Sequence, residues 1–137
     1  VTVTGIGADD VARALVREAA SRGVTVELVR NGSRGLYWLE PLVEVDTPAG
    51  RLAYGPVSVE DVPGLFDAGF LTGGMHRLGH GLTEHIPFIA GQERLTFRRV
   101  GVIDPLSLGD YRAHGGLAGL DRATSMMIAC AARRSHS

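Results

Sequence analysis

Lysine is missing from the chain, and cysteine occurs once, at Cys130. A single thiol excludes an internal disulfide and any multi-thiolate metal or iron–sulfur site within the chain. Long apolar runs are missing too: none approaches the ~18–20 residues that span a bilayer, and the opening residues do not read as a signal peptide. A cytoplasmic chain in a reducing compartment, with no membrane partner, is therefore expected. Nor is there an excess of either charge. Fourteen basic residues, all arginine, face fifteen acidic ones for a net charge of −1, so no basic face points to a nucleic-acid partner. What is present is ordinary for a globular protein: 45% apolar and 21% charged residues in 137, long enough to bury a core without disulfides.

The hydrophobic pattern predicts the elements. Val1–Val3 is a short β-branched stretch ending at Gly5-Ile6-Gly7. Between Asp9 and Arg22, Val11, Ala12, Leu15, Val16, Ala19 and Ala20 recur at helical spacing, with Asp9 or Asp10 as cap and Gly23 as the left-handed stop. Val24, Val26 and Leu28 alternate with polar residues, which predicts a strand over Val24–Val29 and a parallel βαβ unit. Leu42–Asp46 and Arg51–Tyr54 flank Thr47-Pro48-Ala49-Gly50 and predict an antiparallel hairpin. Ser58-Val59-Glu60-Asp61 starts a second helix carrying Val62, Leu65 and Phe66, and Pro63 moves its proper start towards Asp61. The resulting α/β order, β-α-β-β-β-α, is that of a thioredoxin-like fold, followed by an extended linker and one short helix.

Few residues suggest chemistry. Gly5-x-Gly7 sits where a dinucleotide turn would, but Asp10 replaces the third glycine, and two aspartates oppose a pyrophosphate on the helix N-terminus. Helix capping explains the same residues. His76, His80 and His85 lie among glycines without a supporting ligand pattern, so solvated loop histidines are expected rather than a metal site. His114 and His136 add nothing to them. No serine sits in a nucleophile elbow, and Cys130 has no base beside it. No catalytic, cofactor-binding or metal-binding residue is assigned.

Two stretches carry a family resemblance. The first runs through the loop Arg30-Asn31-Gly32-Ser33-Arg34, then Pro41, the hairpin, and Tyr54-Gly55-Pro56-Val57-Ser58-Val59-Glu60-Asp61-Val62. It resembles the thioredoxin-like [2Fe-2S] domain of NADH-linked redox complexes, in which a Cys-x-Gly-x-Cys loop holds the cluster. Here Gly32 matches the family glycine. Both flanking cysteines are arginine, and the cysteine pair expected after the first strand is absent. Iron needs thiolates, so the resemblance implies a domain without a cluster.

The second stretch, Arg94–Ala123, contains Arg98-Arg99-Val100-Gly101-Val102-Ile103-Asp104-Pro105, Tyr111, Gly115-Gly116-Leu117 and Leu120. It resembles the opening of the NADH-binding flavoprotein subunits of complex I, soluble hydrogenases and formate dehydrogenases. Together with Arg30–Pro41 and Gly81-Leu82-Thr83-Glu84-x-Ile86-Pro87-Phe88, it is most similar to the beta subunits of NAD-dependent formate dehydrogenases.

The resemblance implies that the parent subunit is an enzyme passing electrons from formate oxidation to NAD. FMN, NAD and a [4Fe-4S] cluster would bind to parts beyond this chain, so the chain itself holds no cofactor. Its implied partners are a cluster-bearing small (gamma) subunit and the catalytic alpha subunit, with a docking surface at Arg30, Asn31, Arg34, Tyr37 and Trp38. The other reading of that loop is a solvated segment with Trp38 in the core.

The expected organisation is a thioredoxin-like domain at 1–70, an extended linker at 71–100, the opening of the flavoprotein domain at 101–123, and a divergent, frayed tail at 124–137. A helix over Leu108–Arg122 would be weakened by Gly115-Gly116, and the divergence of the tail suggests a truncated product. Two alternatives stand beside this reading. One is the equivalent portion of a complex I or hydrogenase flavoprotein; the other is a free-standing thioredoxin-like binding module with no redox role.

Overall fold

The computed structural model describes residues 1–5 and 7–134, with backbone alone for Thr4 and for 128–134. The chain forms two compact units, one spanning Val1–Val102 and the other beginning at Ile103. It is a mixed α/β protein, with five strands and five α-helices among the described residues.

The first unit is built on a five-stranded mixed sheet. Strand β1 (Thr2–Thr4) leads to helix α1 (Ala8–Ser21) and strand β2 (Val29–Arg30). The hairpin β3 (Leu42–Thr47) and β4 (Gly50–Tyr54) follows, then helix α2 (Val62–Asp67) and strand β5 (Gly79–Leu82). The spatial order is β2-β1-β3-β4-β5. Strands β1 and β2 are parallel, and every other neighbouring pair is antiparallel.

Helix α1 forms where its period predicts, and Ala8, Val11, Ala12, Ala14, Leu15 and Ala19 face inward. Val16 is half exposed. The start differs from the sequence expectation. Gly7, at φ 78°, is the N-cap, and neither aspartate caps. Asp9 and Asp10 instead pair with Arg30 and Arg13. Gly23 closes the helix at φ 67°, as expected.

Strand β2 is shorter than the predicted Val24–Val29. Only Val29 and Arg30 find register partners, opposite Thr2 and Val3 of a three-residue β1, which leaves 24–28 without a ladder. The hairpin forms as predicted, pairing Val43 with Tyr54 and Thr47 with Gly50. Helix α2 is preceded by a 3-10 turn at Val59–Asp61, and Pro63 occupies its first turn, where its missing N–H costs nothing. Asp61 Oδ2 accepts from the Ser58 backbone N–H at 2.9 Å and from its hydroxyl at 2.7 Å.

The two-residue period of β3 divides the core between the faces of the sheet. Val43 and Val45 join Val3, Leu15, Leu65 and Phe70 under α1 and α2. Leu42 joins Leu36, Leu39, Ala53, Ile86 and Ile89 on the other face. Burying one such side chain contributes about 1.5–3 kcal/mol, so both faces matter for stability.

That second cluster corrects the expected organisation, because residues 71–100 do not form an extended connection. Strand β5 pairs with β4, a 3-10 turn spans Thr83–His85, and the short helix α3 covers Pro87–Ala90. Thr83, Ile86 and Ile89 are buried, and the first unit continues to Val102 rather than ending near Gly69. The face of β3 and β4 opposite α1 needs apolar cover, and this segment supplies it.

In the second unit, helix α4 (Leu108–Ala113) is capped by Ser107, whose hydroxyl accepts from the Asp110 N–H. Gly115-Gly116 breaks the predicted Leu108–Arg122 helix, with Gly115 at φ 71° and the Tyr111 ring resting where a Gly116 Cβ would stand. Helix α5 (Ala118–Arg134) follows and runs through the segment expected to fray. Cys130 lies on it, with its side chain outside the described residues, as is all of His136. Among the described residues no helix is long and apolar enough to cross a membrane.

Candidate functional site

The loop after β2 carries most of the residues singled out from the sequence, and the structure divides them into two groups. Arg30 donates through Nη1 to the Val3 carbonyl at 2.7 Å and through Nη2 to Asp9 at 2.7 Å. Asn31 Oδ1 accepts from the N–H of Gly32 at 2.8 Å and of Gly101 at 3.1 Å. Gly32 lies so close to Val100 that a Cβ there would come within 3.1 Å of it. These contacts fix the loop against the rest of the unit.

Arg34 corrects the surface reading. It is 4% exposed, so it is an internal residue. Its Nη1 donates to Glu44 at 3.2 Å and its Nη2 to Glu84 at 2.6 Å, joining the loop to the middle of β3 and to the turn after β5. Gly101, at φ 78°, lies against the aliphatic stem of Arg34, where a side chain would collide with Cγ. Arg51 donates to the Gly101 carbonyl at 2.7 Å and to the Val102 carbonyl at 3.2 Å, closing the frame around the arginine.

Glu44 is 1% exposed. Burial pushes its carboxyl above the ordinary glutamate range, and the charges of Arg34 and Arg51 together with the Thr83 hydroxyl only partly offset that push. A charge taken out of water is tolerated when paired and hydrogen-bonded. Arg34 pairs with Oε1, while Oε2 has no hydrogen-bond partner among the described residues.

Tyr37 and Trp38 form the second group. They sit on a 3-10 turn, Tyr37–Leu39, that buries Leu39 and turns both rings outward. Tyr37 is 75% and Trp38 56% exposed, so Trp38 is not a core residue. Its indole meets Phe88 edge to face at 5.1 Å. Beside them, residues 33–35, Tyr37, Phe88, residues 92–97 and Val100 line an open cleft of about 780 Å³.

The remaining candidates are dispersed. His76 Nδ1 accepts from the Leu78 N–H, His80 Nε2 contacts the Gly55 carbonyl at 2.8 Å, and His85 is exposed. No group of three His, Cys, Asp or Glu residues among the described ones could hold a metal ion.

Sequence reasoning missed Glu44, Glu84, Arg51 and the cleft. One signal was available for Glu44: a carboxylate at an inner position of the apolar run Leu42-Val43-Glu44-Val45 implies a buried cation partner. Arg34 supplies it from ten residues upstream.

No protein-family model matches this chain, and no curated protein matches it.

Proposed function

We propose that the chain is the N-terminal docking portion of an NADH oxidoreductase subunit that passes electrons from formate oxidation to NAD in the cytoplasm, and that its first unit is a thioredoxin-like module without a cluster. The sheet supports the fold part of this reading. A parallel βαβ half is followed by a ββα half, with β3 reversed between β1 and β4. The observation that carries the docking role is the pair of exposed rings, Tyr37 and Trp38, on a turn that follows a loop held by Arg30, Asn31 and Arg34.

Aromatic side chains on a rigid support are favoured anchors of protein interfaces, because little entropy is lost when a partner covers them. Of the two arginines at the positions of the family's cluster-loop cysteines, Arg30 pairs with Asp9 at the surface and Arg34 pairs inside the unit with Glu44 and reaches Glu84. The loop therefore serves as scaffold, while the rings meet the cluster-bearing small subunit. FMN, NAD and the [4Fe-4S] cluster belong to later parts of the parent subunit.

Sequencing the complete coding region tests the assignment. A glycine-rich flavin loop and a cluster-binding cysteine set downstream of residue 137 are expected. An open reading frame holding neither would replace this reading with a free-standing binding module.

A further inference from the structure

Asn31 is the only asparagine of the chain, and a glycine follows it. In such a pair no side chain on the second residue shields its backbone nitrogen from the side-chain amide of the first. Here the two groups are already together. The Gly32 N–H donates to Asn31 Oδ1 at 2.8 Å, so its nitrogen sits beside Cγ, the carbon that carries that oxygen. The side chain is folded back over the peptide bond that follows it. Gly32 is exposed and Asn31 half-buried, so water reaches the pair.

A second contact activates the amide. The Gly101 N–H donates to the same Oδ1 at 3.1 Å. Attack on Cγ moves negative charge onto Oδ1, and a fixed N–H aimed at that oxygen stabilises the charge as it forms. Gly101 is itself anchored, because its carbonyl accepts from Arg51 at 2.7 Å and its α-carbon packs on the stem of Arg34. Packing also fixes the identity of the second residue, since a Cβ on Gly32 would come within 3.1 Å of Val100.

We infer that Asn31-Gly32 is a site of spontaneous covalent modification in the folded protein, with water as the only other reactant. Hydroxide removes the Gly32 amide proton, and the nitrogen forms a bond to Asn31 Cγ. The Cγ–Nδ2 bond breaks, and Nδ2 leaves as ammonia after taking a proton from water. Water then opens the five-membered succinimide at one carbonyl or the other, giving aspartate or isoaspartate. Nothing is oxidised or reduced. Either product adds a negative charge next to Arg30, and isoaspartate lengthens the main chain by a methylene ahead of Arg34 and the aromatic turn. The inference stands on this loop alone and does not depend on the redox assignment.

The test incubates the full folded chain at mildly alkaline pH and follows residues 31–34, which trypsin releases between Arg30 and Arg34, by mass spectrometry. The same chain unfolded in urea at the same pH supplies the reference rate. An amide-to-acid mass gain at Asn31 is expected, as a mixture of aspartate and isoaspartate. Its rate in the folded chain should equal the unfolded rate or exceed it by up to about tenfold, the factor that ~1.4 kcal/mol of transition-state stabilisation gives. Asn31→Gln should abolish the gain, because the longer side chain closes its ring far more slowly. Mapping the wild-type digest locates the change without relying on that variant. Slower modification in the folded chain than in the unfolded one, aspartate without isoaspartate, or a gain that persists in Asn31→Gln would overturn the assignment.

Discussion

Arg34 Nη1 stands 3.2 Å from Glu44 Oε1, and the two side chains are 2% and 0% exposed. This buried pair joins the loop after β2 to the centre of the sheet. It turns a segment that reads as a surface loop into part of the interior. The second bond of Arg34, to the 63% exposed Glu84, brings the segment after β5 into the same arrangement.

Removing only the cation should therefore be costly. Arg34→Met is expected to lower the unfolding free energy by about 3–5 kcal/mol, because Glu44 is left buried without its partner. Arg34→Met/Glu44→Met should recover most of the loss, because no buried charge remains. Urea unfolding of the three proteins measures this, and a single-variant loss below about 1 kcal/mol would contradict it.

The same carboxylate sets a pH dependence. Burial holds the folded-state pKa of Glu44 above the unfolded value, so the folded protein binds this proton more tightly. Its contribution to stability is fully present below the unfolded pKa and is lost as pH rises through the folded one. Glu44→Gln cannot titrate. The stability difference between the two proteins should shift towards the variant as pH rises across that window, then level off. A difference independent of pH would show that Glu44 titrates normally.

Asp61 behaves in the opposite sense. Burial pushes its carboxyl up, but the Ser58 N–H and hydroxyl, Arg77 and His76 outweigh that and hold it below the ordinary range. Its contribution is present above the unfolded pKa and lost as pH falls through the folded one. Asp61→Ala removes the cap before α2 and should cost about 1 kcal/mol at neutral pH. Thermal unfolding near neutrality and at acid pH should show the wild-type advantage shrinking on acidification.

Hydrogen exchange distinguishes a structural segment from a connection at 83–90. Ile89 and Ala90 donate to the Ile86 carbonyl at 2.8 and 2.9 Å, and Ile86 and Ile89 are buried. Their amides should be protected on the scale of β3. Exchange at the rate of an unstructured peptide would place this segment outside the cooperative unit.

The elements that the sequence predicts well are those whose instructions are local. Thr47-Pro48-Ala49-Gly50 specifies its hairpin within four residues, and the stripe from Val11 to Ala19 specifies α1. Strand β5 had no such local signal, because Gly79-His80-Gly81 has little strand preference and is recruited by the free edge of β4. The Arg34–Glu84 bond spans 50 residues, beyond the reach of any local pattern. Val24–Val29 failed in the other direction, since good strand residues found too short a partner in β1. In α5, Met126-Met127-Ile128-Ala129 and the alanines after it favour helix by composition, even though the family resemblance lapses at Thr124. Of the proposed docking residues, Arg30, Tyr37 and Trp38 are exposed, whereas Arg34 is buried. The contacts of Arg30, Asn31 and Arg34 depended on tertiary partners.

Binding between this chain and a cluster-bearing small subunit, the proposed partner, tests the central claim most directly. Isothermal titration of the two purified proteins should give a saturable complex, weakened by about tenfold or more in Trp38→Ser, the loss expected for an interface anchor. A complex whose affinity is unchanged by Trp38→Ser and Tyr37→Ser together, or no complex at all, would contradict the account.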